Sequence, residues 1–247
     1  MRGAERRSCY RAAIAMVCSN IDRDTLRQLH PKLPIFVVPN AVDTDSYHAD
    51  ENHSPSNAEQ VLLFQGGMDW YPNRDAVEFF ARAVLPLVRA ECPNVRFIVA
   101  GRNPPAHFVT ELSADIGIEF TGTIPDIRPC LSAATVVVVP LRLGSGTRIK
   151  ILEACAAGKP VVSTSVGAEG LDLEARKDIV LADDPVGFAD SVVALLRDPV
   201  RRNTMASSAR AVVVERYSLL SLKRSMERAI SALAPADGSR ASTKASQ

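Results

Sequence analysis

Arg148, Lys150 and Glu153 lie close together in the sequence and directly follow the glycine-containing turn Gly144-Ser145-Gly146. Backbone N–H groups at the start of a helix have no partner inside the helix, so such a start attracts phosphate and other anions. An arginine there could contact two phosphate oxygens at once, and a lysine would act as a point charge. The stretch therefore predicts an anion site with phosphate as its occupant.

A strand and a helix must position these side chains. Residues 136–139 are all valine and too few for a helix, which is typical of a strand buried on both faces of a parallel sheet. Apolar residues, among them Ile149 and Leu152, then recur at helical spacing until Gly158 stops the helix. Residues 136–164 thus predict a βαβ unit whose helix, over residues 147–157, begins at the carboxyl end of a strand.

The same alternation of strand and helix patterns extends over most of the chain. Strands are expected at residues 61–64, 95–100, 118–120, 135–139, 160–163 and 179–181, and helices at 75–90, 105–114 and 127–133. Strands that alternate with helices predict an α/β fold with a Rossmann-like, doubly wound parallel sheet. Helices without strands between them follow at residues 186–197, 199–216 and 219–233.

Residues near the amino terminus predict a separate small element. A strand at 14–18, a helix at 22–29 with Asp22 as its N-cap and a strand at 36–38 precede a polar linker at 49–60. We therefore expect one domain over residues 1–43 and a second over 44–234. The small, polar residues 235–247 are expected to form a disordered tail.

Composition limits the function classes. With 47% hydrophobic residues, 23% charged residues and a net charge of +1, the chain does not resemble a nucleic-acid-binding protein that acts through bulk positive charge. The five scattered cysteines and four histidines lack metal-site spacing, so we expect no metal and a reduced, cytoplasmic protein. The arginine-rich residues 1–11 fit either a membrane-surface patch, hence peripheral membrane association, or a solvated terminus.

Several short motifs together resemble a known family. They are residues 38–43 (VPNAVD), Gly66-Gly67, 99–101 (VAG), 120–122 (FTG), 150–154 (KILEA) and 158–162 (GKPVV). In this order they resemble the C-terminal half of retaining glycosyltransferases of the GT-B architecture, the large family numbered four, over residues 14–230. In that family two Rossmann-like domains face each other across a cleft, and the C-terminal one binds the nucleotide sugar.

The resemblance assigns roles to individual residues. It implies that Glu153 holds the ribose hydroxyls of the donor, a task suited to a carboxylate because it can accept two hydrogen bonds. Gly66 and Gly67 would let the backbone approach the donor. Arg102 would face the nucleotide, and main-chain groups at Ile124 would lie beside its base. Catalytic residues remain unassigned.

The sequence departs from the family pattern at the phosphate and sugar positions. Ser145 stands where relatives have a first glutamate that contacts the donor sugar. Relatives also have an Arg and a Lys near Gly67 and Asn73 that neutralise the diphosphate, and neither position is basic here. We expect Arg148 and Lys150 to supply that charge, with backbone contacts from Gly144, Ser145 and Gly146.

The resemblance implies a glycosyltransferase of polysaccharide biosynthesis that moves a sugar from a nucleoside diphosphate donor to a glycan or lipid-linked acceptor with retention, and without a cofactor. Relatives would carry about 150 to 200 residues before residue 14, so residues 1–43 are interpreted as a remnant of an acceptor domain. A non-catalytic module that binds a nucleotide sugar or a partner, a gene fragment, and a nucleotide-sugar epimerase remain alternatives.

Overall fold

The computed structural model describes residues 12–47, 60–144 and 146–233. By its packing the chain divides into a unit of Asn40–Leu219 and a unit formed by the described residues on either side of it. Predictions for the arginine-rich start, Ser145, most of the polar linker and residues 235–247 lie outside the described residues.

The smaller unit contains two short parallel strands joined by a helix. Strand β1 (Ala15–Val17) pairs with β2 (Ile35–Val37), and α1 (Asn20–Leu29) connects them. The expectation that Asp22 caps α1 is wrong: Ser19 is the N-cap, and its hydroxyl accepts a hydrogen bond of 3.1 Å from the backbone N–H of Asp22. Serine is among the residues preferred at this position, so the helix begins earlier than predicted.

The larger unit is built on a parallel sheet with the strand order β5-β4-β3-β6-β7-β8. Its strands are β3 (Val61–Gln65), β4 (Arg96–Ala100), β5 (Glu119–Gly122), β6 (Val136–Val139), β7 (Val161–Ser163) and β8 (Val180–Leu181). All residues of β3, β6 and β7 are buried, as strands covered by helices on both faces must be. The predicted doubly wound α/β fold is confirmed.

Helices cover both faces of this sheet. Their bounds are α2 (Tyr71–Phe79), α3 (Leu85–Glu91), α4 (Ala106–Ile116), α5 (Arg128–Ala133), α6 (Ile149–Ala156), α7 (Pro185–Arg197) and α8 (Pro199–Tyr217). The last helix, α9 (Leu219–Ser231), belongs to the smaller unit except for its first residue. A π-helical segment, Phe80–Val84, joins α2 to α3, where a single helix was expected. Pro86 explains it, because proline has no N–H for the carbonyl four residues earlier and its ring clashes with it.

Aromatic rings fill part of the core between sheet and helices. The ring of Phe80 lies 4.6 Å from that of Phe97 in β4 and 5.8 Å from that of Phe188 in α7, measured between centroids. All three side chains are fully buried. The π-helical segment therefore anchors the helices to the sheet despite its irregular hydrogen bonding.

The boundary between the units lies a few residues before the predicted one. Residues 40–43 belong to the larger unit because the N–H of Val42 donates a 2.9 Å hydrogen bond to the carbonyl of Tyr217 at the end of α8. Residues 220–233, expected in the larger domain, pack with the smaller unit. Within the described residues, no helix combines the length and apolar character needed to cross a membrane.

The chain adds strands to this parallel sheet in two opposite directions, and the point at which the direction changes lies between β3 and β6. The chain moves outward through β4 and β5 on one side, and through β7 and β8 on the other. In open α/β sheets of this kind, ligands bind in the crevice outside the carboxyl ends of the strands at this reversal. Gln65 closes β3 there, and α6 begins nearby after β6.

Candidate functional site

An open cleft of about 440 Å³ lies at the reversal point. It is lined by Gln65, Gly66, Gly67, Ala100, Gly101, Arg102, Thr123, Ile124, Ile127, Lys150 and Glu153. The ends of β3 and β4, the loop after β5 and the first turns of α6 each contribute to it. The structure thus brings together six residues that the sequence indicated: Gly66, Gly67, Arg102, Ile124, Lys150 and Glu153.

Glu153 is half-buried in this cleft and accepts two hydrogen bonds. Its Oε1 accepts one of 3.2 Å from the Tyr47 hydroxyl, and its Oε2 accepts one of 2.6 Å from Nε2 of Gln65. Burial raises the pKa of the Glu153 carboxyl, while both hydrogen bonds and the nearby charge of Lys150 oppose the rise. A carboxylate offers about four lone-pair sites, so Glu153 can accept further hydrogen bonds.

Gln65 and Tyr47 were not predicted as site residues. Gln65 is a polar residue at the end of an otherwise apolar strand, VLLFQ, and this break in the pattern is a signal that could have identified it. Tyr47 gives no such signal, because it lies 106 positions before Glu153 in the chain. Only the fold brings the two together.

Among the described residues, Lys150 is one of the two basic residues that line the cleft, with Arg102. Its Nζ donates a 2.8 Å hydrogen bond to Oδ1 of Asn73 and lies 4.3 Å from the centroid of the Phe64 ring. Asn73 is itself buried and fixed, since its Nδ2 donates to the carbonyl of Gly67 at 2.8 Å. Burial and the charge of Arg148 lower the pKa of Lys150 to about 7, against the opposing effect of Glu153.

Glycines let the ends of β3 and β4 approach each other and the Lys150 side chain. A Cβ at Gly101 would lie 1.9 Å from the carbonyl oxygen of Gly66, and one at Gly66 would lie 2.7 Å from Nδ2 of Asn73. Both distances are shorter than real Cβ contacts allow. Glycine is therefore required for the close packing of these strand ends, and Gly66, Gly67 and Gly101 present only backbone atoms to the cleft that they line.

Arg148 does not line the cleft. It is the buried N-cap residue of α6, and its guanidinium carbon lies 5.5 Å from the ring centroid of Trp70. Gly144 packs against this pair, since a Cβ there would lie 2.9 Å from Nη2 of Arg148. Burial lowers the pKa of Arg148, and the charge of Glu169 opposes this. Helical geometry explains why Arg148 is apart from the other two residues. Lys150 and Glu153 are three positions apart and share a face of α6, whereas Arg148 precedes the helix.

Of the other predicted residues, Arg102 and Ile124 line the cleft, whereas Gly144 and Gly146 are not among its lining residues. Gly144 and Gly146 have φ values of 104° and 90°, a backbone region that glycine adopts readily. Arg102 is exposed and pairs with Asp69 at 3.5 Å, so it can reorient toward a ligand at little cost. Ile124 is half-buried and packs against the core, which fixes the backbone of the loop after β5.

The positions of the cation and the carboxylate along α6 indicate the kind of ligand that the cleft can hold. Lys150 lies near the start of α6, where the helix dipole also attracts anions, and Glu153 lies one turn further along the same face. Such an arrangement can hold a molecule with an anionic group at one end and a hydroxyl-bearing group beside it. Because Glu153 and Lys150 come from one rigid helix, their spacing is fixed.

The sheet and its reversal-point cleft define a doubly wound, Rossmann-like α/β domain. The family model described as Glycosyl transferases group 1 matches residues 59–198, and the chain belongs to this family. The match includes the whole of β3 to β8 and the helix that carries Lys150 and Glu153.

Individual relatives and solved structures are similar to this chain. A GDP-mannose-dependent monoacylated alpha-(1-6)-phosphatidylinositol monomannoside mannosyltransferase of Corynebacterium glutamicum is 29% identical over 145 residues, which are 54% of this chain and 38% of that protein. The chain spans about two-fifths of the length of the first curated relatives it matches.

Two solved structures share the fold. HepE of Anabaena, in complex with UDP and glucose, has a TM-score of 0.74 at 18% identity over 93% of this chain and 66% of that one. The C-terminal domain of the glycosyl transferase group 1 family protein LpcC from Francisella tularensis has a TM-score of 0.57 at 21% identity, over 72% of this chain and 99% of that one.

Proposed function

We propose that this chain binds a nucleoside diphosphate sugar in the cleft between β3 and α6, as the donor-binding part of a glycosyltransferase. The observation that carries the proposal is the placement of Lys150 and Glu153 one turn apart on α6 at the reversal point of the sheet. A diphosphate next to a ribose presents the complementary order of anionic and hydroxyl groups. Membership of the glycosyl transferases group 1 family supports the same function.

Glu153 accepts hydrogen bonds from the two ribose hydroxyls in this proposal. Its oxygens already accept one hydrogen bond each from Tyr47 and Gln65, which leaves acceptor capacity on both. The base lies toward the loop that contains Ile124, where main-chain groups are available. In doubly wound folds, an acidic side chain commonly accepts hydrogen bonds from the ribose in the crevice at the carboxyl ends of the strands.

The diphosphate is bound by Lys150, by the start of α6 and by the backbone at Gly66 and Gly67. When the bond to the sugar breaks, negative charge develops on the leaving nucleoside diphosphate, and cationic and N–H donors that are already in place stabilise it. Arg148 contributes from beneath Trp70, through its charge near the helix start. The proposed transfer proceeds with retention and uses no cofactor.

The donor base and the acceptor are further parts of the proposal. The C. glutamicum relative is GDP-mannose-dependent, whereas HepE was solved with UDP, so both nucleotides are candidates. A glycan or lipid-linked acceptor is proposed because the relative acts on a phosphatidylinositol mannoside, according to its name.

The test is nucleotide binding by the parent chain and by Glu153→Ala. A panel of UDP, GDP, ADP, CDP and dTDP should raise the melting temperature for at least one nucleotide, since a ligand that binds the folded state stabilises it. Glu153→Ala should weaken the binding of that nucleotide by about tenfold or more. Glu215→Ala, at an exposed position on α8, is the matched control and should bind as the parent does. Binding that Glu153→Ala leaves unchanged would overturn the proposal.

A module that binds a nucleotide sugar without turnover is the second candidate. It is favoured by one observation: Ser145 stands where, by the family resemblance, a glutamate contacts the donor sugar. Incubation with UDP-glucose or GDP-mannose separates the two functions. Release of UDP or GDP supports an enzyme, and proton NMR of the sugar anomer first released tests retention; saturable binding without release supports the module.

A further inference from the structure

Two side chains from distant parts of the chain hold the carboxylate of Glu153, one on each oxygen. The Tyr47 hydroxyl donates to Oε1 at 3.2 Å, and the Gln65 amide donates to Oε2 at 2.6 Å. Tyr47 belongs to the segment before the sheet, while Gln65 closes β3. A carboxylate held on both oxygens cannot rotate freely about its last bond, so its remaining lone pairs point in fixed directions.

The orientation of the Gln65 amide follows from its neighbours. Nε2 lies 2.6 Å from a carboxylate oxygen of Glu153 and 3.3 Å from the backbone carbonyl of Lys150. Both partners can only accept, so the nitrogen, and not the oxygen, must face them. Gln65 therefore ties the end of β3 to the backbone and to the functional side chain of α6 at once.

The amide oxygen of Gln65 lowers the stability of the fold. Oε1 of Gln65 is buried and has no hydrogen-bond partner among the residues that the structure describes. A buried acceptor without a partner costs stability that an apolar residue at this position would avoid. Such a residue is expected where its other contacts serve function, and the contact here is Glu153.

We propose that Gln65 and Tyr47 are positioning residues that orient Glu153 toward the ribose and so make the site prefer ribonucleotides over 2′-deoxyribonucleotides. The proposal rests on the function proposed above for Glu153. A group that is already oriented binds its ligand without losing rotational freedom, so the hydrogen bonds that it forms contribute fully to affinity. Neither residue needs to touch the nucleotide.

The same two donors also affect the charge of Glu153. The polar and charged groups that face it are Tyr47, Gln65 and Lys150; burial raises its pKa, and all three oppose the rise. Removing a donor raises the pKa further. Because the ionised carboxylate accepts from both hydroxyls, the ribose preference is lost as pH falls through this pKa. Tyr47→Phe and Gln65→Leu should therefore lose it at a higher pH than the parent.

The experiment compares the affinities of UDP and dUDP, and of GDP and dGDP, by calorimetry. The ratio of ribonucleotide to deoxyribonucleotide affinity should fall about tenfold in Gln65→Leu and in Tyr47→Phe, the scale of one hydrogen bond to a charged group. Neither change should alter the ratio further in a Glu153→Ala background. Gln60→Leu, next to the opposite end of β3, and Tyr71→Phe, at an exposed position, are matched controls that should keep the parent ratio.

The outcomes separate this proposal from the one on which it rests. A ratio that survives Glu153→Ala overturns the role of Glu153 itself. A ratio that is lost in Glu153→Ala but kept in Gln65→Leu and Tyr47→Phe overturns the positioning role alone. Equal weakening of ribonucleotide and deoxyribonucleotide in those two variants would indicate a merely structural role and would also overturn it.

Discussion

The ammonium group of Lys150 lies 2.8 Å from the amide oxygen of Asn73. By resemblance, the family has a basic residue near position 73, on the segment after the first strand of the sheet. In this chain that position holds a buried asparagine, and the cation beside it comes from α6. The cation next to position 73 is therefore supplied by a different element of this chain.

Replacing Lys150 by methionine should weaken diphosphate binding selectively. The change keeps much of the side-chain volume and its contact with Phe64 but removes the cation. UDP or GDP should bind about tenfold or more weakly, because a hydrogen bond to a charged group is lost. Uridine or guanosine, which lack phosphates, should bind as to the parent. Lys177→Met, at an exposed position, is the control in the same calorimetric titration. An equal loss for nucleoside and nucleotide would contradict the assignment.

Diphosphate binding should be accompanied by proton uptake at Lys150. Its pKa is lowered to about 7 in the free protein, so at pH 8 most of the amine is neutral. A bound anion favours the ammonium form and raises this pKa. Affinity should therefore fall as the pH rises from 7 to about 9. Calorimetry in two buffers of different ionisation enthalpy measures the uptake directly, and Lys150→Met should abolish it. Proton release at pH 8 would show that the sign is wrong.

Arg148 and Arg102 should contribute differently to the melting temperature of the protein. Arg148→Ala removes a buried cation near the start of α6 and its contact with Trp70, so nucleotide affinity and melting temperature should both fall. Arg102→Ala removes an exposed side chain with a solvent-exposed ion pair, worth about 1 kcal/mol at most. Its melting temperature should match that of the parent. A larger drop in melting temperature for Arg102→Ala than for Arg148→Ala would contradict the described burial.

Gly101→Ala should destabilise the larger unit by about 2 kcal/mol or more, because its Cβ would lie 1.9 Å from the carbonyl oxygen of Gly66. Gly122→Ala is the comparison. A Cβ at Gly122 would meet nothing within 4 Å, and its φ of 66° costs about 1 kcal/mol. Urea unfolding of both variants measures the difference. If Gly122→Ala were the more destabilised, the close approach of β3 and β4 would be in doubt.

Much of the sheet was predictable because its strands are short apolar runs between turn residues. The four valines of β6 predicted a strand, and Gly158 predicted the end of the following helix. The structure confirms both. Helix starts were less certain. Ser19 and Asp22 are both of residue types preferred at N-caps, and the prediction named Asp22 where the structure uses Ser19. The π-helical segment depends on how Pro86 is accommodated, which local pattern does not specify.

The candidate site divides in a similar way. Glu153 and Lys150 could be placed together because helical periodicity puts positions three apart on one face. The same rule explains why Arg148, which precedes the helix, lies under Trp70 and not in the cleft. The contact of Tyr47 with Glu153 spans 106 positions, and no local pattern encodes it.

A crystal structure with bound UDP or GDP, chosen by the melting-temperature panel, would show whether the cleft between β3 and α6 holds the nucleotide. We expect a phosphate oxygen at about 3 Å from Nζ of Lys150 and ribose hydroxyls at hydrogen-bond distance from Glu153. Tyr47 and Gln65 should keep their contacts with that carboxylate. A nucleotide bound elsewhere on the chain, or one with its ribose turned away from Glu153, would contradict the proposed donor site.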